Sequence, residues 1–202
     1  MQPITAFILA GGKSTRMGTD KAVLLLGGRP LIAHALDLAR SAAEEVKIIG
    51  DPLKLLQFGD VIRDLYSERG PLGGIHAALS STRSDYNLIL GVDLPFVTKQ
   101  FLNYLAESAQ ASDATVTVAS ASGGLQPLCA IYRKQFVALA ERALAAGRNK
   151  IDALFAGTTV RLITDEELAA NGFSPSIFSN LNTPEDWELA KREFAAKIGD
   201  QV

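Results

Sequence analysis

Three short stretches of this chain are almost free of charge and stop after a handful of residues: Ile4 to Ala10, Val46 to Ile49 and Tyr86 to Val92. A core helix needs about ten residues or more, so apolar runs this short predict strands covered on both faces, as in a parallel sheet. The segments between them change period. From Pro30, the residues Leu31, Ala35, Leu38, Ala39 and Ala42 recur at intervals of three and four, and Pro30 suits a first helical position. Val61-Ile62 reads as a further, very short strand, Gly73 to Leu79 as the start of a helix, and Phe101, Leu102, Leu105 and Ala109 as the face of another. Strand and helix in alternation predict an α/β fold with a mostly parallel central sheet.

Beyond residue 113 the order loosens. Ala114 to Ala119 and Leu128 to Tyr132 read as strands around the turn-rich Ser122-Gly123-Gly124, which predicts a small mixed-sheet excursion. Phe136, Leu139, Ala140 and Leu144 mark a helix that Gly147 closes, and Thr183-Pro184-Glu185-Asp186 opens the last one with a cap, a first-position proline and two acids. With 202 residues, no repeat and no long linker, residues 1–202 are expected to form a single domain. Twenty basic against 22 acidic residues argue against a nucleic-acid or membrane-surface partner, so any anionic ligand must be met by local charge. A lone cysteine, Cys129, excludes an internal disulfide, and the apolar start stops too early for a signal peptide or membrane span; the expected location is cytoplasmic.

The densest chemical signal is Leu9-Ala10-Gly11-Gly12-Lys13-Ser14-Thr15-Arg16-Met17-Gly18-Thr19-Asp20-Lys21, directly after the first strand. Ligands of open α/β sheets bind beyond the carboxyl ends of the strands. Gly11 and Gly12 let main-chain N–H groups approach an anion, and Arg16 and Lys21 add two cations suited to a polyphosphate. Two familiar phosphate loops fail. A P-loop would need glycine where Phe7 stands, which excludes a P-loop kinase, and a dinucleotide fingerprint would need one at Lys13. Asp93 ends the apolar run at Tyr86 to Val92, so its carboxylate falls at the same edge of the sheet. There one or two acids, with phosphate oxygens and water, suffice for Mg²⁺. Asp-x-Pro alone is as readily a turn, and its place after a buried strand favours the site. His34 and His76 have no partner at metal-ligand spacing and read as surface or packed residues; Cys129 reads as a buried thiol.

The stretch Leu9 to Lys21, continuing to Leu31, resembles the signature loop of the molybdenum cofactor guanylyltransferases within the nucleotidyltransferase superfamily. The resemblance covers almost the whole chain: Gly70-Pro71-Leu72-Gly73-Gly74-Ile75, Asp93-Leu94-Pro95-Phe96, Gln126-Pro127-Leu128 and Asn180-Leu181-Asn182-Thr183-Pro184-Glu185 follow in the family's order. It implies a Rossmann-like three-layer sandwich that joins GMP from GTP to the terminal phosphate of a molybdopterin-type molybdenum cofactor and releases pyrophosphate. Cofactor-delivering proteins or acceptor molybdoenzymes would then be its protein partners.

By the same resemblance Arg16, Lys21 and Asp93 are catalytic, Asp93 holds Mg²⁺, and Leu9, Ala10, Gly11, Gly12, Lys21, Asp64 and Asp93 contact the nucleotide. Gly70, Pro71, Gly73 and Gly74 would line the acceptor side with Asn180 and Asn182, whose alternation on an extended segment points both to one face. Arg148 and Lys150 would join them, although Asn149 replaces one of the family's basic residues, and cations after a helix also serve its dipole. Where the family usually carries asparagine after the second strand, this chain has Gly50-Asp51-Pro52; Asp51 could accept from guanine N1 and its amino group. That departure keeps cytidylyl transfer to the same cofactor and sugar-phosphate nucleotidyl transfer open as rivals. A non-catalytic nucleotide sensor is disfavoured because both Lys21 and Asp93 are present.

Overall fold

The computed structural model describes residues 2–11, 20–66 and 69–199, with side chains described to Glu193, Phe194 and Ala195 in the last helix. In chain order the elements are β1 (Ile4–Leu9), β2 (Leu25–Leu26), β3 (Arg29–Pro30), α1 (Leu31–Arg40), β4 (Glu45–Ile49), α2 (Pro52–Leu55) and β5 (Val61–Ile62). Then come α3 (Pro71–Ser81), β6 (Tyr86–Gly91), α4 (Lys99–Gln110), β7 (Val116–Ala121), β8 (Gly124–Arg133) and α5 (Phe136–Ala145). The chain ends with α6 (Asp152–Phe155), β9 (Val160–Ile163), α7 (Asp165–Ala170) and α8 (Pro184–Gly199).

The described strands form one seven-stranded sheet in the order β5-β4-β1-β6-β8-β7-β9, with β2 and β3 as a separate antiparallel pair. β5, β4, β1 and β6 are mutually parallel, β8 runs antiparallel to both β6 and β7, and β9 pairs parallel with β7. The expected mixed excursion is therefore an extension of the main sheet, and β8 begins at Gly124, four residues before Leu128.

Alternation along each strand sends side chains into two cores. Ala6 and Ile8 of β1, with Leu88 and Leu90 of β6, face α1, α4 and α8; Phe7, Leu9 and Ile89 face α3, α5 and α6. These are the outer layers of a three-layer α/β sandwich. On α1 the buried stripe is Leu31, Ile32, Ala35, Leu36 and Ala39, with Leu38 and Ala42 only flanking it, so the helix is rotated slightly from the face its spacing predicts.

The connections set a switch point. From β1 the chain moves outward through α1 and β4 to β5, then returns through α3 to place β6 on the other side of β1. The order of connection thus reverses between β1 and β6, the place where open α/β sheets bind ligands beyond the carboxyl ends of their strands.

Candidate active site

Register brings the acidic residues of three loops to the same level. Leu9 pairs with both Ile49 and Gly91, and Ile49 pairs with Ile62. The ladder runs one step further, with Ala10 N–H bonded to Ile49 O at 2.9 Å, Val92 N–H to Leu9 O at 3.1 Å and Gly50 N–H to Ile62 O at 3.0 Å. Gly11, Asp51, Asp64 and Asp93 each stand two residues beyond the partners Leu9, Ile49, Ile62 and Gly91, past the carboxyl ends of adjacent strands. Leu9 and Ala10 are buried strand ends, so what they offer this edge is backbone. Gly12 and Arg16 lie outside the described residues.

Lys21 reaches the edge from a 3-10 turn, Lys21–Val23, which Asp20 caps by accepting from Ala22 N–H at 3.2 Å. Ala22 is fully buried and anchors the turn. The ammonium donates to Asn182 Oδ1 at 2.8 Å and lies 3.4 Å from Asp93 Oδ2. With side chains 18% and 21% exposed, Lys21 and Asp93 are partly withdrawn from water, where charge acts over a longer range than on an open surface. Residues 21, 93 and 182 therefore converge, the last delivered by the segment before α8.

That segment is held from two sides. Leu181, nearly fully buried, donates its N–H to Asp93 O at 3.1 Å, and Asp186 Oδ2 accepts from Asn182 N–H at 2.9 Å and Thr183 N–H at 2.8 Å. These two N–H groups, and then the nearby Lys21 charge, hold the Asp186 carboxyl below the usual aspartate range. Asn180 is exposed on the other side of Leu181.

Gly91 makes room for Asp93: a Cβ on it would lie 2.8 Å from Asp93 Oδ1 and 3.5 Å from Leu128 Cβ, in the Gln126-Pro127-Leu128 stretch of β8. Asp93 fits a hard divalent cation by the chemistry of its donor set. Among the described residues no group of three or more His, Cys, Asp or Glu side chains could hold a metal; a cation at Asp93 would draw most of its ligands from phosphate and water oxygens, as Mg²⁺ prefers.

Asp64 and the glycines of α3 form the neighbouring part of the edge. Asp64 Oδ1 accepts from Tyr66 N–H at 2.7 Å, and burial pushes its carboxyl above the usual range, while that hydrogen bond and the nearby His76 pull it down. Gly70, with φ +65°, caps the helix that Pro71 opens. Gly73 and Gly74 lie inside its first turn and serve close approach: a Cβ on Gly73 would sit 2.6 Å from Tyr66 O and 3.0 Å from both Asp64 oxygens, and one on Gly74 would sit 3.1 Å from Leu9. Gly73→Ala is therefore expected to destabilise the protein by about 1–2 kcal/mol, overpacking outweighing the gain in helix propensity, and to weaken nucleotide binding by displacing Asp64. Denaturant unfolding and nucleotide titration of the variant would measure both.

Arg148 and Lys150 are exposed, and Arg148 N–H closes α5 on Ala143 O at 2.8 Å. A Cβ on Gly147 would lie 3.8 Å from Arg69, which adjoins Gly70, so this basic segment flanks the α3 glycines rather than the Lys21–Asn182 pair. Asp51 is committed in part: its Oδ1 accepts from Leu53 N–H at 3.0 Å and caps α2.

The remaining candidates sit where packing explains them. His34 Nε2 is 2.9 Å from Leu26 O and its ring meets Phe194 edge-on, His76 is buried beside Tyr66, and the buried Cys129 thiol is pushed upward by desolvation. No helix among the described residues is long and apolar enough to cross a membrane. Sequence reasoning assigned Asp186 only to the helix start; the signal that it does more is its position four residues after Asn182, visible only once Lys21 is seen to bond that amide.

Residues 6–162 match the model of the MobA-like NTP transferase domain. The chain is 35% identical over 202 residues to the molybdenum cofactor guanylyltransferase of Desulfosudis oleivorans, covering 98% of both chains. It is 30% identical over 193 residues to that of Syntrophotalea carbinolica, covering 94% of this chain and 91% of the relative. Its fold is shared with molybdopterin-guanine dinucleotide biosynthesis protein A from Archaeoglobus fulgidus, at a TM-score of 0.84 and 24% identity over 95% of this chain and 99% of that one. The chain belongs to the molybdenum cofactor guanylyltransferase family of MobA-like NTP transferases, and it is a nucleotidyltransferase.

Proposed function

We propose that residues 1–202 act as one cytoplasmic nucleotidyltransferase domain that transfers GMP from GTP to the terminal phosphate of a molybdopterin-type molybdenum cofactor. The observation that carries this reading is the meeting of Lys21, Asp93 and Asn182 at the switch point, in a chain whose full-length relatives bear that activity in their names. An oxygen of the acceptor phosphate attacks the α-phosphorus of GTP, the bond from that phosphorus to the bridging oxygen breaks, and pyrophosphate leaves. The acceptor is a phosphate monoester with a second pKa of about 6, already mostly dianionic at neutral pH, so no general base is needed. What the protein must supply is alignment and positive charge between two anions.

Lys21 meets that charge, with Asn182 fixing its ammonium on one side and Asp93 on the other. Asp93 would hold Mg²⁺, which when bound draws charge from the phosphate oxygens. In this reading the backbone of Leu9 to Gly12, Arg16 and Asp64 face the nucleotide, while Gly70 to Gly74, Arg148, Lys150, Asn180 and Asn182 face the acceptor. Proteins that deliver the cofactor or receive the product would meet the same side.

For the base, the acceptor we assign is Asp51 Oδ2, since Oδ1 caps α2. Asp51→Asn tests this cleanly, because asparagine caps a helix as well as aspartate does but turns an amide donor toward guanine's own donors. GTP binding is expected to weaken about tenfold or more, with the unfolding midpoint little changed. The primary test is pyrophosphate release with each of the four nucleoside triphosphates, with and without molybdopterin acceptor. Release with GTP alone among them, and only with acceptor, is the expected result; faster release with CTP overturns guanylyl transfer in favour of cytidylyl transfer, and release dependent on a sugar phosphate instead overturns the acceptor.

A further inference from the structure

We infer that Asp186 is a positioning residue for transfer, acting through Asn182 to hold the Lys21 ammonium in place. The inference rests on the reading of Lys21 and Asn182 as transfer residues.

Asp186 and Thr183 form a reciprocal cap at the start of α8: Asp186 N–H donates to Thr183 Oγ1 at 3.1 Å and Asp186 Oδ2 accepts from Thr183 N–H at 2.8 Å. A helix cap requires nothing more of this carboxylate. The same oxygen nonetheless reaches one residue further back and accepts from Asn182 N–H at 2.9 Å. That bond fixes the backbone of the residue whose side-chain oxygen takes Lys21 Nζ at 2.8 Å. The neighbouring Leu181 N–H is tied to Asp93 O at 3.1 Å, so a single extended segment links α8 to both charged groups of the site. The main chain is therefore tied at Asn182 by Asp186 and at the preceding Leu181 by Asp93. A preorganised charge requires supporting groups held to within about 0.5 Å, which a tethered backbone provides. Lys21 is also among the groups that keep the Asp186 carboxyl ionised, which places the two charges in the same local field.

The experiment is a double-mutant cycle in pyrophosphate release from GTP with molybdopterin acceptor, using Asp186→Ala, Asn182→Ala, both together, Asp186→Asn and Thr183→Ala. Asp186→Ala is expected to lower kcat about tenfold or more in the wild-type background and to change it less than about twofold when Asn182 is already alanine. Asp186→Asn, which keeps an oxygen able to accept both N–H groups, is expected to recover most of the loss. Thr183→Ala breaks the other half of the cap, and it should lower the unfolding midpoint while leaving kcat within about twofold.

An equal loss from Asp186→Ala in both backgrounds overturns the inference, because Asp186 would then act independently of Asn182. A loss in Thr183→Ala as large as that in Asp186→Ala also overturns it, by making fraying of α8 the cause. Full activity in Asp186→Ala overturns it as well while Asn182→Ala remains impaired, leaving the site reading intact; full activity in Asn182→Ala overturns both.

Discussion

Asp93→Ala is expected to lower pyrophosphate release about 10³-fold or more while moving the unfolding midpoint by no more than about 4 °C. The asymmetry follows from where the residue stands. Its backbone carbonyl holds Leu181 and survives the substitution, and its side chain is partly exposed with a long 3.4 Å approach to Lys21, so little folding energy depends on the carboxylate. A pair this long and still partly open to water contributes about 1 kcal/mol or less, and a chain of this size shifts by about 2–4 °C per kcal/mol. For transfer, the same carboxylate is the group assigned to the cation that offsets phosphate charge, and losing such stabilisation in a site shielded from water costs several kcal/mol. Asp93→Asn should lose nearly as much, since the amide keeps the size and the reach to Lys21 but not the negative charge a hard cation needs. Both variants are to be assayed across a magnesium titration. Normal turnover in either at ordinary magnesium would remove Asp93 from the metal.

Much of this site was legible before the fold. The apolar run at Tyr86 to Val92 that ends at Asp93, and the one at Ile4 to Ala10 that ends in glycine, were enough to expect two neighbouring parallel strands, because a buried strand has a distinctive length and composition. The register then ranks Gly11, Asp51, Asp64 and Asp93 along one edge. What escaped reading has physical causes. β9 is a partly exposed edge strand with Arg161 and an exposed Leu162, α2 and α6 are single turns, and β2 with β3 is a two-residue pairing across Gly27 and Gly28, both at positive φ. Such elements owe their form to tertiary contacts and leave little periodicity.

The residues expected to meet the acceptor divide similarly. Asn180 and Asn182 were expected to share a face; Leu181 between them is buried, and Asn182 is the one seen to bond Lys21. That Asn182 bonds Lys21, 161 positions away, could not be read from spacing, because only the return of the segment before α8 to the turn that carries Lys21 brings them together. Asp51 shows the opposite limit: a motif departure suggested a base reader, and the local sequence Asp-Pro equally specified the helix cap that its Oδ1 forms. Both roles fit one carboxylate with two oxygens, and the choice of Asn over Ala as the test follows from that.

Lys21→Ala is expected to reduce pyrophosphate release about 10²- to 10³-fold, the usual consequence of removing one preorganised charge from a site where negative charge develops. Three features make this lysine more than a solvated loop residue. Its side chain is 18% exposed, its ammonium is fixed at 2.8 Å by Asn182, and the turn that carries it is anchored by buried Ala22 and capped by Asp20. A mobile surface lysine would pay in side-chain entropy whenever it met the phosphates; this one is already ordered. Lys21→Arg should restore only part of the rate, because a planar guanidinium cannot occupy the compact position between an amide oxygen and a carboxylate. The loss should appear mainly in kcat if the ammonium works on charge that forms as pyrophosphate departs, and mainly in KM if it only holds the triphosphate. Steady-state kinetics with GTP varied at saturating acceptor separate the two. A Lys21→Ala variant within twofold of the wild type in both constants would reduce the contacts with Asn182 and Asp93 to a clip that holds the loop.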